Sequence, residues 1–353
     1  MNNTLPVLIS HSLFFTFFFS VVLLLFIVSR RILIQRRESR FQGRYLQVEQ
    51  SVLQAISRED SQSILEPAVR TSFQRKVLTQ VLIDFLEVIS GRGQETLKAI
   101  FERSLKDRCL KDLRSRFVLR RLRATRLVGL FAVLPEKTLL ADLLKDKPII
   151  RLAAVNAMVR LQDQESLGLV FEAFEQESCP NIHTYTNIIF GAGERVEPFV
   201  RLYLKKPLPA EKLSLLIELA GAVPLLSLYP EVVAYAAHAE KEVRIKVAKT
   251  LGKFLVPYSY EVLERMADDG EWEVQAQALK ALGNLKNPSA LVILTRGLFS
   301  PVWYVRYNAR DGLRNLGPLG VRRLEEISRQ EVDRFAADMA TMALEEISFS
   351  GVW

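Results

Sequence analysis

A phrase anchored on a valine returns every 31 residues: "EKEVRIKVAKTLGKFL", "EWEVQAQALKALGNL" and "PVWYVRYNARDGLRNLG" place that valine at Val243, Val274 and Val305. Weaker versions are anchored at Ile150 ("PIIRLAAVNAMVRL"), Ile182 ("PNIHTYTNIIFGAG") and Leu213 ("AEKLSLLIELAGA"), with a blurred one at Arg120 ("LRRLRATRLVGL"). A fixed period of this kind is the signature of a stacked array, in which each unit buries its apolar face on its neighbours, rather than of a closed domain.

Each unit reads as two helices. A first helix such as "SYEVLERMADD" or "SALVILTRGLF" has apolar residues at helical spacing and is followed by a turn with Pro, Gly or Asp. The second helix sets the anchor and a small residue four positions on, Ala154, Ala278 or Ala309, along one buried stripe. Gly191, Gly252 and Gly283, nine positions after their anchors, are expected to take the left-handed conformation that ends a helix. Trp272 and Trp303 each stand two residues before an anchor, which predicts an aromatic clasp between units. Arg151, Arg244 and Arg306 follow their anchors by one, which predicts a ladder of ion pairs to turn carboxylates of the neighbouring unit.

The Val-Arg pairs at Val243-Arg244 and Val305-Arg306, with Leu-Gly closures at Leu251-Gly252, Leu282-Gly283 and Leu316-Gly317, resemble HEAT repeats of the short bacterial type. The resemblance implies an all-α chain, with an α-solenoid of stacked antiparallel helix pairs over residues 75–330 whose second helices line a concave face. Residues 331–353 would then form a capping helix, needed because the last unit otherwise exposes its apolar face, and the apolar tail "SFSGVW" is expected to fold onto it.

Ahead of the array, residues 5–28 ("LPVLISHSLFFTFFFSVVLLLFIV") carry no charge, and 24 residues at ~1.5 Å each exceed the ~30 Å hydrocarbon core of a bilayer. The uncharged "MNNTLP" before this run and "SRRILIQRRESR" after it argue for a retained anchor over residues 1–30 rather than a cleaved signal peptide. Arg30, Arg31, Arg36, Arg37 and Arg40 then place the bulk of the chain in the cytoplasm, as in a single-pass inner-membrane protein. Ser12, Thr16 and Ser20 form a small polar stripe that lets another membrane helix approach. Residues 31–74 read as a basic stalk helix and linker. Phe41, Tyr45, Val48, Val52 and Ala55 form a narrow apolar seam there, free to pack on the domain, the bilayer surface or a second copy.

Chemistry is sparse. No G-x-x-x-x-G-K-[ST] loop, H-E-x-x-H helix or G-x-S-x-G elbow occurs, and Arg36 and Arg40 lack the D-x-S-x-x-G partner of a cyclic-dinucleotide motif. Cys109 and Cys179, and His11, His183 and His238, have no metal-ligand spacing, and both thiols are expected to be reduced and buried. Asp268, Asp269 and Glu271 form an acidic turn, read as helix-capping. No catalytic, cofactor or metal residue is therefore assigned, and no small-molecule substrate is expected.

Charge is distributed unevenly. Of the net +8, residues 30–44 carry +5 and residues 103–126 carry +8, leaving −5 elsewhere. Arg120, Arg121, Arg123 and Arg126 are expected to meet anionic lipid. Helical DNA glycosylases also use HEAT-like stacks, so nucleic-acid binding or another enzymatic role for the basic block is the competing class. With an anchor nearby and acidic turns in the best repeats, nucleic acid is the less favoured partner. Positions three and six after each anchor sketch the concave face. They predict an exposed apolar ridge of Tyr185, Ile188, Leu216 and Leu219 beside Lys246 and Lys249, a docking groove for a protein. The expected function is a non-catalytic membrane-anchored scaffold that binds another inner-membrane protein. Architectural analogy points to bacterial envelope systems, including those making surface polysaccharide.

Overall fold

The computed structural model describes residues 4–58, 71–133, 137–177, 182–329 and 333–350, with the side chains of 4–17, 58, 137–138, 182 and 350 outside that description. The described residues are helical and contain no strand. They fall into two compact units, Met1–Val133 and Leu134–Trp353.

The first unit holds α1 (Thr4–Arg58), α2 (Ser72–Val88), α3 (Arg92–Ser104), α4 (Lys106–Leu113) and α5 (Val118–Phe131). The expected anchor and stalk form one continuous helix. Among the described residues α1 alone is long and apolar enough to cross a membrane; its most apolar described window has a mean hydropathy of 2.0 and is fully exposed. Its distal seam packs on α2 and α3, with Val48, Val52 and Ala55 buried. Phe41 meets Phe73 edge-on, and the Tyr45 hydroxyl donates to Asp84 at 2.7 Å. Burial and then that carboxylate push the Tyr45 phenol up to about 12. A capping box starts α2: Thr71 Oγ1 accepts from the Gln74 amide, and the Gln74 side chain accepts from the Thr71 amide. Cys109 is buried, its Sγ donates to the Ala124 carbonyl at 3.4 Å, and burial followed by Asp112 pushes the thiol up to about 12. Cys179 lies outside the described residues.

The second unit runs α6 (Lys137–Leu144), α7 (Pro148–Leu161), α8 (Gln164–Gln176), α9 (Ile182–Phe190), α10 (Glu197–Leu204), α11 (Ala210–Ala222), α12 (Tyr229–Val233), α13 (Lys241–Phe254), α14 (Tyr260–Met266), α15 (Trp272–Leu285), α16 (Leu291–Leu298), α17 (Trp303–Asn315), α18 (Pro318–Ser328) and α19 (Arg334–Ser350). Odd-numbered helices up to α17 are the second helices of the repeat. They stack in sequence, α7 on α9, α9 on α11, and so on to α17, with α19 over α17 and α18. Val243, Val247 and Leu251 of α13 and Val274, Ala278 and Leu282 of α15 are buried, at the four-residue spacing the sequence displays. At the far end Phe349 stands 91% exposed, so this much of the tail does not fold back; residues 351–353 lie outside the described residues.

The glycines act differently from the sequence expectation. Gly252 and Gly283 lie inside α13 and α15, not at their ends. A Cβ on Gly252 would sit 2.9 Å from the Cα of Ala281, and one on Gly283 2.4 Å from the Cα of Gly312, so these positions are bare because the neighbouring helix passes there. The left-handed residues come three positions later. Ala132, Gln162, Gly193, Leu255, Lys286 and Gly317 all have φ between 51° and 68° and recur at 30 or 31 residues, or twice 31 across Pro224. A residue that turns the chain back at a constant place in these six units gives the repeat register independently of the apolar anchors.

Candidate functional site

That register moves two anchors. Counting twelve residues back from the left-handed position gives Arg120, Ile150, Val243, Val274 and Val305, as the sequence suggests, but Asn181 in place of Ile182; the same count from Pro224, where the 31-residue spacing falls, gives Lys212 in place of Leu213. Both true anchor positions are polar, so the apolar neighbour one residue later was mistaken for them. Glycine packing supports the shift in α11, where Gly221 faces Thr250 as Gly252 faces Ala281, and burial supports it in α9, where Tyr185 and Ile189 are the buried residues four and eight positions after Asn181.

The predicted ridge therefore does not exist as a surface. Tyr185, Leu216 and Leu219 are buried at 0%, 1% and 2% exposure, and Ile188 is half-buried. Tyr185 lies beside the ion pair of half-buried Arg151 and buried Glu177; burial first and then Glu177 raise its phenol pKa. With the register corrected, the line on α11 consists of Leu215, itself buried at 4%, and the half-buried Glu218 in place of Leu216 and Leu219.

A cleft of about 320 Å³ opens at this point between α9, α11 and α13. His183, Thr186, Asn187 and Phe190 line one side, Leu215, Glu218, Leu219 and Ala222 the floor, and Lys253 the other wall. Phe190 is 49% exposed. Glu218 accepts from Lys246 Nζ at 2.6 Å and from Lys249 Nζ at 2.5 Å. Burial pushes the Glu218 carboxyl up, but the bonds and charges of the two lysines outweigh it and hold the carboxyl at about 2. Lys246 and Lys249 thus lie beside the cleft, although each is committed to Glu218. The cleft presents an apolar floor with polar sides and a net excess of ammonium groups. Sequence reasoning missed Glu218, His183, Phe190 and Lys253; the spacing of 31 back from Lys249 would have found Glu218.

The expected ladders are present with altered partners. Arg151 pairs with Glu177 at 2.8 Å, and Arg244 grips Asp269 with two bonds of 2.7 and 2.8 Å while also donating to the His238 and Ala239 carbonyls. Asp269 accepts from the Glu271 amide as well, so it caps its turn and joins the ladder. Arg306 donates to the carbonyls of Ser300 and Pro301 in its own turn; the position equivalent to Asp269 is Glu331, outside the described residues. Trp272 stacks at 5.4 Å not on Trp303 but on Tyr304 of the next unit. One unit earlier, the same two positions hold Lys241 and Glu273, joined by a 2.6 Å ion pair.

In the first unit the basic block divides. Arg120, Arg123 and Arg126 are exposed on α5, whereas Arg121 turns back to donate to the Ser115 carbonyl at 2.7 Å. Arg116 joins the exposed set, with Phe117 and Leu119 uncovered between them. Arg30, Arg31, Arg36, Arg37 and Arg40 are exposed along α1. Ser20 is exposed on the same helix, while the side chains of Ser12 and Thr16 lie outside the described residues. Among the described residues no group of His, Cys, Asp and Glu could hold a metal ion.

The model of the family described as HEAT repeats matches residues 212–345. Residues 212–345 are HEAT repeats. This HEAT segment begins at the corrected anchor of α11 and runs through α13, α15 and α17 into α19. Among curated proteins, no relative matches the chain by sequence. Among solved structures, the chain is similar to the CpcE–CpcF complex of phycocyanin lyase from Nostoc sp. PCC7120 (15% identity, 68% of this chain and 93% of that one, TM-score 0.32). It is also similar to human deoxyhypusine hydroxylase (15%, 86% and 98%, TM-score 0.29) and to Kap121p (15%, 78% and 38%, TM-score 0.44).

Proposed function

We propose that the chain is a non-catalytic, membrane-tethered scaffold that holds a protein partner in the cleft between α9, α11 and α13. The carrying observation is the cleft itself: an apolar floor beside Phe190, with Lys253 on its wall carrying no ion-pair partner among the described residues and Glu218 the one carboxylate among the lining residues. Such a surface suits a segment with an apolar anchor and adjacent carboxylates. Stacked repeats serve holding well, because each added unit lengthens the surface without reorganising the core.

The arginines that follow residue 28 support a cytoplasmic array, and a tether on α1 favours a partner in the same bilayer. A bacterial inner membrane, with envelope or surface-polysaccharide assembly as the setting, is the context this layout suggests. The test is crosslinking in native membranes with affinity capture, comparing the natural chain with Phe190→Glu and Lys253→Glu. Both residues border solvent, so both variants should fold. Loss of one co-purifying membrane protein from both variants supports the reading; an unchanged partner profile, or capture dominated by RNA or DNA, sinks it. Tyr185→Glu would be uninformative here, since it buries a charge in the core.

A further inference from the structure

We propose that Arg116, Phe117, Leu119, Arg120, Arg123 and Arg126 form a second membrane contact, seating the first unit on an anionic bilayer beside its own tether. The proposal rests on the reading of α1 as a membrane span. Several arginines in the second unit are neutralised: Arg151 by Glu177, Arg201 by Glu197 and Glu231, Arg244 by Asp269. On α5 and the turn before it, Arg116, Arg120, Arg123 and Arg126 are exposed and have no carboxylate partner among the described residues. Four unneutralised guanidinium groups on one short stretch call for phosphate oxygens.

Two exposed apolar side chains identify which phosphates. Phe117 is 49% and Leu119 65% exposed, and the guanidinium groups of Arg116 and Arg120 each lie 4.9 Å from the Phe117 ring centre. A bilayer interface accepts all of this at once, with rings and leucine entering the acyl boundary and arginines remaining at the headgroups. A nucleic acid would satisfy the arginines and could stack on Phe117, but leaves Leu119 without a partner.

Distance sets a condition. From Val28 to the first packed residue, Phe41, α1 rises ~20 Å, and a lean of α1 within the ordinary 0–40° range of tilts lowers one side of the first unit toward the lipid. The contact would hold that lean and so fix the orientation of the first unit.

The test uses the full-length protein in nanodiscs of phosphatidylcholine with or without phosphatidylglycerol. Leu119→p-benzoylphenylalanine is compared with Val292→p-benzoylphenylalanine, an exposed position of the second unit at 78%. Lipid adducts should form at 119 well above 292, increase with phosphatidylglycerol, and fall about fivefold for each arginine replaced, as in Arg123→Gln. Adducts at 119 equal to those at 292, or indifferent to anionic lipid, would overturn the proposal. So would transfer of the crosslink to an added RNA or DNA oligonucleotide. Alkaline carbonate reports on the tether separately: if it extracts the protein from membranes, the span reading fails and the proposal fails with it.

Discussion

Glu218 is the residue through which the cleft and the stability of the array are coupled. Its carboxylate joins α11 to α13 through Lys246 and Lys249 and is held at about 2 instead of the usual 4.5. A carboxylate whose pKa is depressed by folding contributes stability that is complete above its unfolded value and disappears as pH falls through the folded one. Glu218→Gln should therefore cost roughly 1–2 kcal/mol at pH 7, allowing for partial solvent screening of the lysines. The deficit should shrink as pH falls from about 4.5 to about 2. Urea unfolding of both proteins at pH 7 and pH 3 measures this; an equal deficit at both pH values would mean that the charge does not contribute. The same substitution releases two lysines toward the cleft, so it should strengthen rather than weaken capture of an acidic partner.

At the scale of the helix, positions matter more than residue types. Lys241 with Glu273 and Trp272 with Tyr304 occupy the same pair of places at successive junctions, one as an ion pair and one as an aromatic stack. Double-mutant cycles should give ~0.5–1.5 kcal/mol for Trp272/Tyr304, insensitive to salt, and ~0.2–1 kcal/mol for Lys241/Glu273, fading by 1 M salt. Identical salt responses would show that a common backbone contact, not the side chains, holds both junctions. This interchange also explains what could be read from the sequence. Helix pairs, their period and the buried stripe were legible wherever an aliphatic residue held the anchor, as in α7, α13, α15 and α17. In α9 and α11 the anchor place is polar, the count slipped by one, and core residues Tyr185, Leu216 and Leu219 were placed on the surface. The left-handed turn residue was invisible as a motif because Ala132, Gln162, Leu255 and Lys286 share a conformation and no chemistry. The cleft followed the slip: its floor includes Leu215 and Glu218, which stand in the concave-line positions only in the corrected register. Arg121 was lost from the basic face for a different reason, a local bond to Ser115 that spacing cannot foretell.

For the molecule, the consequence of stacking is that cohesion within the second unit passes from neighbour to neighbour. In its HEAT segment, α11 packs on α13, α13 on α15, α15 on α17 and α17 on α19. An array of this kind has no single core whose loss unfolds everything together; each junction can weaken with its own effect on the units beyond it. The α15–α17 junction is sensitive, since Gly283 and Gly312 bring two backbones into contact and leave no side chain to move aside. Gly283→Ala gains the better helix former by ~1 kcal/mol, but a Cβ 2.4 Å from the Gly312 Cα forces the helices apart, at ~1–3 kcal/mol or more. Separation should win. Native-state hydrogen exchange then locates the loss: amides of α17, α18 and α19 should exchange roughly 2–30-fold faster, while α11 and α13 keep most of their protection. A uniform loss of protection from α6 to α19 would instead show that the second unit opens as one cooperative body. In that case the cleft between α9 and α13 could not be treated as a site insulated from changes at the far end of the array.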